Sequence, residues 1–292
     1  MNGGKRKQRL WRPLLIFTVL VLGAAGLLQC LAGPAAAGQE EKPQQTAEKR
    51  PAIEAFPKPA VPLPEVTEPA AEEELSPGEK LRQIELSGDY PEELIELARS
   101  NRETIDFVYD YPDRKNGHPA VDLSREAAGA EVPLLLQWDS RWGWTPYGDG
   151  ILADSGCGPL CLSMAALYLT KDPRWTPEKI AGLAEDHGFR VPGSGSSWTL
   201  ISRGAELVGL RAEELPLSEE NMVQALEEGK LVVLVVGPGD FTDGGHFLLV
   251  TGRREGCFTL NDPNSRENSS RLWPYERLRP QILNLWSLEK ST

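Results

Sequence analysis

Histidine is scarce in this 292-residue chain, with His118, His187 and His246 as its three copies, so the search for a general base working near neutral pH is short. Cysteine is scarce too. The four thiols (Cys30, Cys157, Cys161, Cys257) are too few to staple a chain of this size, and none sits in a C-x-x-C pair, which removes both a disulfide scaffold and a cysteine zinc site. Positive charge is in deficit. The 31 Lys and Arg face 43 Asp and Glu, a formal charge of -12, and a protein that grips phosphates needs clustered cations, so nucleic acid is not an expected partner. Neither a G-x-x-x-x-G-K loop nor a dinucleotide fingerprint is present, so no ATP or redox cofactor is implied. What remains is ordinary globular material, 40% hydrophobic and 25% charged, enough for a sizeable core in one or two domains.

The composition changes along the chain. Lys5, Arg6, Lys7, Arg9 and Arg12 precede an uncharged run from Leu14 to Leu28, the layout of an exported protein's signal or anchor, assigned to residues 1–38. Cleavage near Ala35-Ala36-Ala37 and retention as a membrane anchor are both compatible with it, since the uncharged stretch can span a bilayer of ~30 Å. Cys30 lacks the small preceding residue of a lipoprotein and reads as incidental. Residues 39–78 alternate Pro with Ala and Glu and are expected to form an extended linker, because they bury too little apolar surface to offset their ordering entropy. From Glu79 to residue 131, apolar residues at helical intervals (Leu81, Ile84; Leu94, Ile95, Leu97, Ala98; Ile105, Phe107, Val108) predict a small helical prelude.

Residues 132–292 read as one domain. An aromatic opening (Trp138, Trp142, Trp144, Tyr147) is followed by predicted helices at 158–170, 177–187 and 198–208. Predicted strands then come at 231–236, 246–251 and 257–260, with a turn at 252–256. Helices first and strands later imply an α+β domain with segregated layers.

The chemistry concentrates at Gly156-Cys157-Gly158-Pro159. Proline at the start of an apolar run places Cys157 at a helix N-terminus, where free amides and the dipole favour the nucleophilic thiolate; the plainer alternative is a small buried hydrophobe. His246, after two glycines at the start of a strand, is the best-placed base. Asp262 ends the strand that would pair with it across the turn, where it can fix the imidazole tautomer, with Asn261 and Asn264 as competitors. Gln137 can offer a side-chain amide to a developing oxyanion beside the Cys157 backbone N–H, although spacing alone favours a solvated glutamine. Cys161 and Cys257 read as buried structural thiols, and His187 as a helix-end residue.

Six motifs occur in order: Leu134-Leu135-Leu136-Gln137-Trp138-Asp139, Pro146-Tyr147-Gly148, Gly156-Cys157-Gly158-Pro159, Gly193 to Trp198, Phe241 to Phe247, and Asn261-Asp262-Pro263-Asn264. Together they resemble the stand-alone bacterial members of the bacteriocin-leader-peptidase-like group of papain-fold cysteine peptidases. Residues 79–128, with Tyr90-Pro91 and Phe107-Val108-Tyr109, resemble the prelude of exported members. The resemblance implies a papain-like fold with Cys157 as nucleophile, His246 as general base and acid, Asp262 as orienter and Gln137 as oxyanion donor. Leu160 departs from it, since a small polar residue such as Thr is expected there. The implied substrate is a peptide or protein. Two rivals are wall amidase or acyltransferase chemistry with the same thiol, and a non-catalytic peptide-binding module. The expected location is outside the cytoplasm, secreted or membrane-anchored through the N-terminal segment, and no oligomeric state is implied.

Overall fold

Ser76 and Glu79 open helix α1 (Pro77–Ser87) with a reciprocal cap. The Ser76 backbone N–H donates to Glu79 Oε2 at 2.9 Å, and the Glu79 N–H returns to Ser76 Oγ, so the helix starts at a proline with its first amides satisfied. This computed structural model describes residues 74–114 and 120–292, which belong to a single compact unit. The expected signal or anchor segment, most of the expected linker, Cys30 and His118 lie outside the described residues. Among the described residues no helix is long and apolar enough to cross a membrane.

Helices α2 (Glu92–Ser100) and α3 (Ile105–Tyr109) follow in the prelude, ahead of two shorter helices, Tyr111–Arg114 and Ser124–Ala128. Their stripe residues Leu94, Leu97, Ala98, Ile105 and Val108 bury against Ile84, Trp144 and Ala153, so the prelude shares a core with the segment just before Cys157. Phe107 stacks on Trp144 with ring centroids 3.8 Å apart.

Helix α4 (Cys157–Thr170) is apolar on all sides and is buried from Gly158 to Leu167, as a core helix must be. Leu160 explains its departure from the expected small polar residue: it is fully buried in the main core, and its N–H still closes the first turn on the Gly156 carbonyl. Helix α5 (Pro177–Asp186) is capped by the Thr176 side chain. The helix expected over 198–208 is instead two short helices, Thr199–Ser202 and Gly204–Leu207, broken at Arg203 (φ -125°). Gly204, which opens the second of these helices, sits close against its neighbours: a Cβ on it would lie 3.2 Å from both Leu200 and Phe189.

Strand β1 (Leu210–Glu214), helix α6 (Glu219–Glu227) and strands β2 (Leu231–Val236), β3 (His246–Arg254), β4 (Cys257–Asn261) and β5 (Ile282–Lys290) follow. They build a wholly antiparallel sheet in the order β1-β5-β2-β3-β4, an α+β architecture of papain-like type. Strand β2 is a continuous apolar run because both of its faces are covered. Val233 and Val235 meet the α4 core, while Val232, Leu234 and Val236 join Met222 of α6 and Trp273 behind the sheet. The turn lies later than expected. Gly252, Arg253 and Arg254 still belong to β3, and the chain reverses at Glu255-Gly256, whose φ values of 54° and 76° make the tight two-residue hairpin between Arg254 and Cys257.

One glycine links this packing to chemistry. A Cβ on Gly158 would lie 2.7 Å from Ser196 Oγ and 2.8 Å from Ser196 Cβ, so the helix carrying Cys157 approaches the short strand Gly195–Ser196 at a distance only glycine permits. Gly158→Ala is expected to cost about 1 to 3 kcal/mol of stability through overpacking, read as a lowered urea midpoint at unchanged slope.

Candidate active site

The structure brings three of the four sequence-predicted residues together, two of them hydrogen-bonded to each other. Cys157 is the first residue of α4 and is half-buried, with the His246 side chain and the Phe247 and Gly158 backbone amides close enough to act on its sulfur. His246 opens β3 opposite Val236 of β2. Its Nε2 lies 2.8 Å from Asp262 Oδ1, which leaves Nδ1 as the nitrogen for the thiol. The hairpin supplies this geometry: Leu249 pairs with Asn261, so Asp262 emerges from β4 at the open end, where β3 begins.

Asp262 is almost fully buried and takes three donors. Oδ1 accepts from His246 and from the Asn264 backbone N–H at 2.8 Å, and Oδ2 accepts from Asn268 Nδ2 at 2.8 Å. Its competitors are occupied elsewhere. Asn261 Nδ2 donates to the Pro133 carbonyl, and the Asn264 side chain accepts from Asn101.

The charges follow from these contacts. Burial opposes the Cys157 thiolate, yet the hydrogen bond and charge of His246 together with the two amides outweigh it and bring the thiol below its ordinary pKa. Burial also opposes the imidazolium of His246, and it too is outweighed, here by the Asp262 and Cys157 hydrogen bonds and charges, which push it up to about 10. The two groups titrate as a pair. With the thiol lowered and the imidazole raised, the thiolate–imidazolium form occupies the interval between them. kcat/KM on a peptide is therefore expected to fall on the acid side as the thiolate protonates, and on the alkaline side near pH 10 as His246 loses its proton. A stopped-time assay from pH 4 to 11 checks both limbs.

Gln137 is buried in the same cleft, anchored by its backbone N–H on the Pro263 carbonyl at 2.7 Å. Its Nε2 donates to the Ala153 carbonyl at 3.2 Å, with Leu152 O at 3.5 Å, rather than to Cys157. The opening aromatics divide. Trp142 and Tyr147 are core, while Trp144, buried with the prelude, also lines the cleft. Cys161, one turn behind Cys157, is fully buried with its pKa pushed well up by that burial, and Cys257 is buried in β4. His187 caps the end of α5, near Phe189.

The cleft has a volume of about 730 Å³ and is bordered by Gln137, Cys157 and His246, by Gly193–Gly195 and Phe241, and by Leu94 and Tyr111 of the prelude. Among the described residues no group of three or more His, Cys, Asp or Glu is placed to hold a metal ion. Sequence reading missed Asn268, Asn101 and Glu103, whose roles depend on contacts across the fold.

A family model described as the Peptidase_C39 like family matches residues 130–291. The chain belongs to this family. Membership points to cysteine peptidase activity and accords with the α+β fold. A search of the curated proteins finds no match. Among solved structures, the peptidase domain of Streptococcus ComA, a bifunctional ABC transporter of a quorum-sensing pathway, is 15% identical, with a TM-score of 0.40, covering 55% of this chain and 99% of that one. A C39-like peptidase from Bacillus anthracis is 17% identical, TM-score 0.38, covering 59% and 98%. A double glycine motif protease from an AMS/PCAT transporter, solved with its leader peptide, is 16% identical, TM-score 0.34, covering 56% and 96%.

Proposed function

We propose that this C39-like chain is an exported cysteine peptidase that hydrolyses peptide bonds through Cys157, His246 and Asp262. The observation that carries the proposal is the 2.8 Å hydrogen bond between His246 and Asp262 with Cys157 beside the imidazole, where Cys157 and His246 both line one cleft. The Cys157 thiolate attacks the scissile carbonyl carbon, and the carbonyl electrons move onto oxygen. The Cys157 backbone N–H stabilises that oxyanion, and the Gln137 amide joins it by turning from the Ala153 and Leu152 carbonyls that its Nε2 bonds. The imidazolium passes its proton to the leaving nitrogen as the C–N bond breaks, which leaves a thioester. Water then attacks the thioester while His246 takes its proton, the C–S bond breaks, and the acid product departs with the thiolate–imidazolium pair restored. Asp262 holds the ring throughout.

Export rests on the basic start and uncharged run of residues 1–38, and the substrate is a peptide or protein met outside the cytoplasm. The test is incubation of the protein with a defined peptide mixture, with new termini read by mass spectrometry and the acyl-enzyme trapped on Cys157 by acid quench. New termini together with a trapped acyl group support the proposal. Release of fragments from purified peptidoglycan without peptide cleavage would move the same chemistry to the cell wall, and binding without turnover would leave a peptide-holding module.

A further inference from the structure

Two side chains of the prelude reach the loop that carries Asp262. Asn101, just after α2, donates its Nδ2 to the Asn264 carbonyl at 2.7 Å and to Asn264 Oδ1 at 3.0 Å. Glu103, two residues on, grips the next turn with its carboxylate. Oε1 accepts from Ser265 Oγ at 2.8 Å, and Oε2 accepts from the Arg266 backbone N–H at 2.9 Å. The Glu103 N–H in turn donates to Asn101 Oδ1 at 3.0 Å, which locks the two side chains into one unit.

What Glu103 caps is a helix of five residues, Arg266–Ser270, too short to hold itself. A carboxylate on its first free amides matches the dipole and makes charge-assisted bonds. That small helix presents Asn268 to Asp262 Oδ2, and the loop ahead of it presents the Asn264 N–H to Oδ1. Two of the three donors on the Asp262 carboxylate therefore stand on backbone that the prelude clamps. The prelude also contributes Leu94 and Tyr111 to the cleft, on the side of the molecule where the clamp lies.

We propose that Glu103 is a positioning residue for the Asp262 carboxylate, with Asn101 as its second point of attachment, so that the prelude completes the active site instead of spacing it from the N-terminal segment. The proposal rests on the reading of Cys157, His246 and Asp262 as the hydrolytic site. Loosening the 264–268 turn lets the carboxylate swing off His246, which weakens the imidazolium and, through it, the thiolate.

The experiment uses the full chain and measures the rate of Cys157 alkylation by iodoacetamide from pH 4 to 9, read by peptide mass spectrometry, in wild type, Glu103→Gln, Asn101→Asp and Arg99→Ala. Arg99 pairs with Glu85 and Glu92 inside the prelude and makes no bond to the 262–268 loop, so it reports damage to the prelude alone. Glu103→Gln and Asn101→Asp are expected to slow alkylation at pH 6 by about 5-fold or more, the coupling of neighbours in one network, and to move the acid limb upward. Arg99→Ala is expected to keep the wild-type profile. Alkylation of buried Cys257 marks loss of fold. A wild-type profile in either folded variant, the same loss in Arg99→Ala, or unfolding of both loop-clamp variants overturns the proposal. A wild-type Cys157 no more reactive than Cys161 overturns the hydrolase reading itself, and the proposal with it.

Discussion

Cys157→Ala is expected to lower peptide turnover by about a million-fold while leaving the chain folded, as removal of a nucleophile does when binding and oxyanion donors remain. No neighbour can replace the sulfur. Cys161 is a turn deeper, fully buried and held protonated by that burial, and Ser155, which also borders the cleft, donates its hydroxyl to the Ile151 carbonyl. The cost in stability is small by comparison, about 1 kcal/mol, because alanine keeps the Cβ and favours the helix start. The measurement is kcat/KM on a cleaved peptide beside a thermal melt. Turnover within about 100-fold of wild type in a folded variant would mean a different nucleophile, because that loss is far below what removing one costs.

Asp262→Ala is expected to lower kcat by about 10,000-fold, the scale seen when the orienting carboxylate of a triad is lost. Here the reason is local. Nε2 of a buried imidazole loses the acceptor at 2.8 Å, and the Asn264 N–H and Asn268 amide lose theirs. Each abandoned buried donor adds about 1 to 3 kcal/mol to the destabilisation. The alkaline limb of the pH profile should move down from about 10, because the Asp262 hydrogen bond is what chiefly offsets burial of the imidazolium. Asp262→Asn separates orientation from charge. Its oxygen can still accept from Nε2, but its amide meets the Asn268 amide, donor against donor. A partial recovery over alanine is therefore expected, and a kcat for Asp262→Ala within about tenfold of wild type would remove this residue from the mechanism.

Much of the site was legible because its residues sit where local rules are strong. Proline after Gly156-Cys157-Gly158 and an apolar run placed the thiol at a helix start, and the β-branched run 231–236 matches a strand buried on both faces. The hairpin logic that set Asp262 beside His246 depends on pairing over sixteen residues. Other parts carried no local signal. Strand β5 enters the sheet between β1 and β2, so its place depends on partners far away in sequence. Gln137 reads as a surface residue from spacing, yet a backbone bond to Pro263 buries it in the cleft. Glu103 meets Ser265 across 162 positions, a distance no periodicity can register.

The membership in the C39-like family and the grouping of Cys157 with the hydrogen-bonded His246–Asp262 pair support a single physical claim: the Cys157 sulfur is a thiolate stabilised by an imidazolium. The most direct test is the rate of Cys157 alkylation across pH 4 to 9 in wild type and His246→Ala, with Cys161 and Cys257 as internal controls. In wild type the sulfur should react rapidly well below the ~8.5 of a free thiol, and His246→Ala should slow it at pH 6 by about tenfold or more, the consequence of a shift of one pKa unit. A Cys157 that reacts no faster than its buried neighbours, or one whose rate at pH 6 is unchanged by His246→Ala, would contradict it.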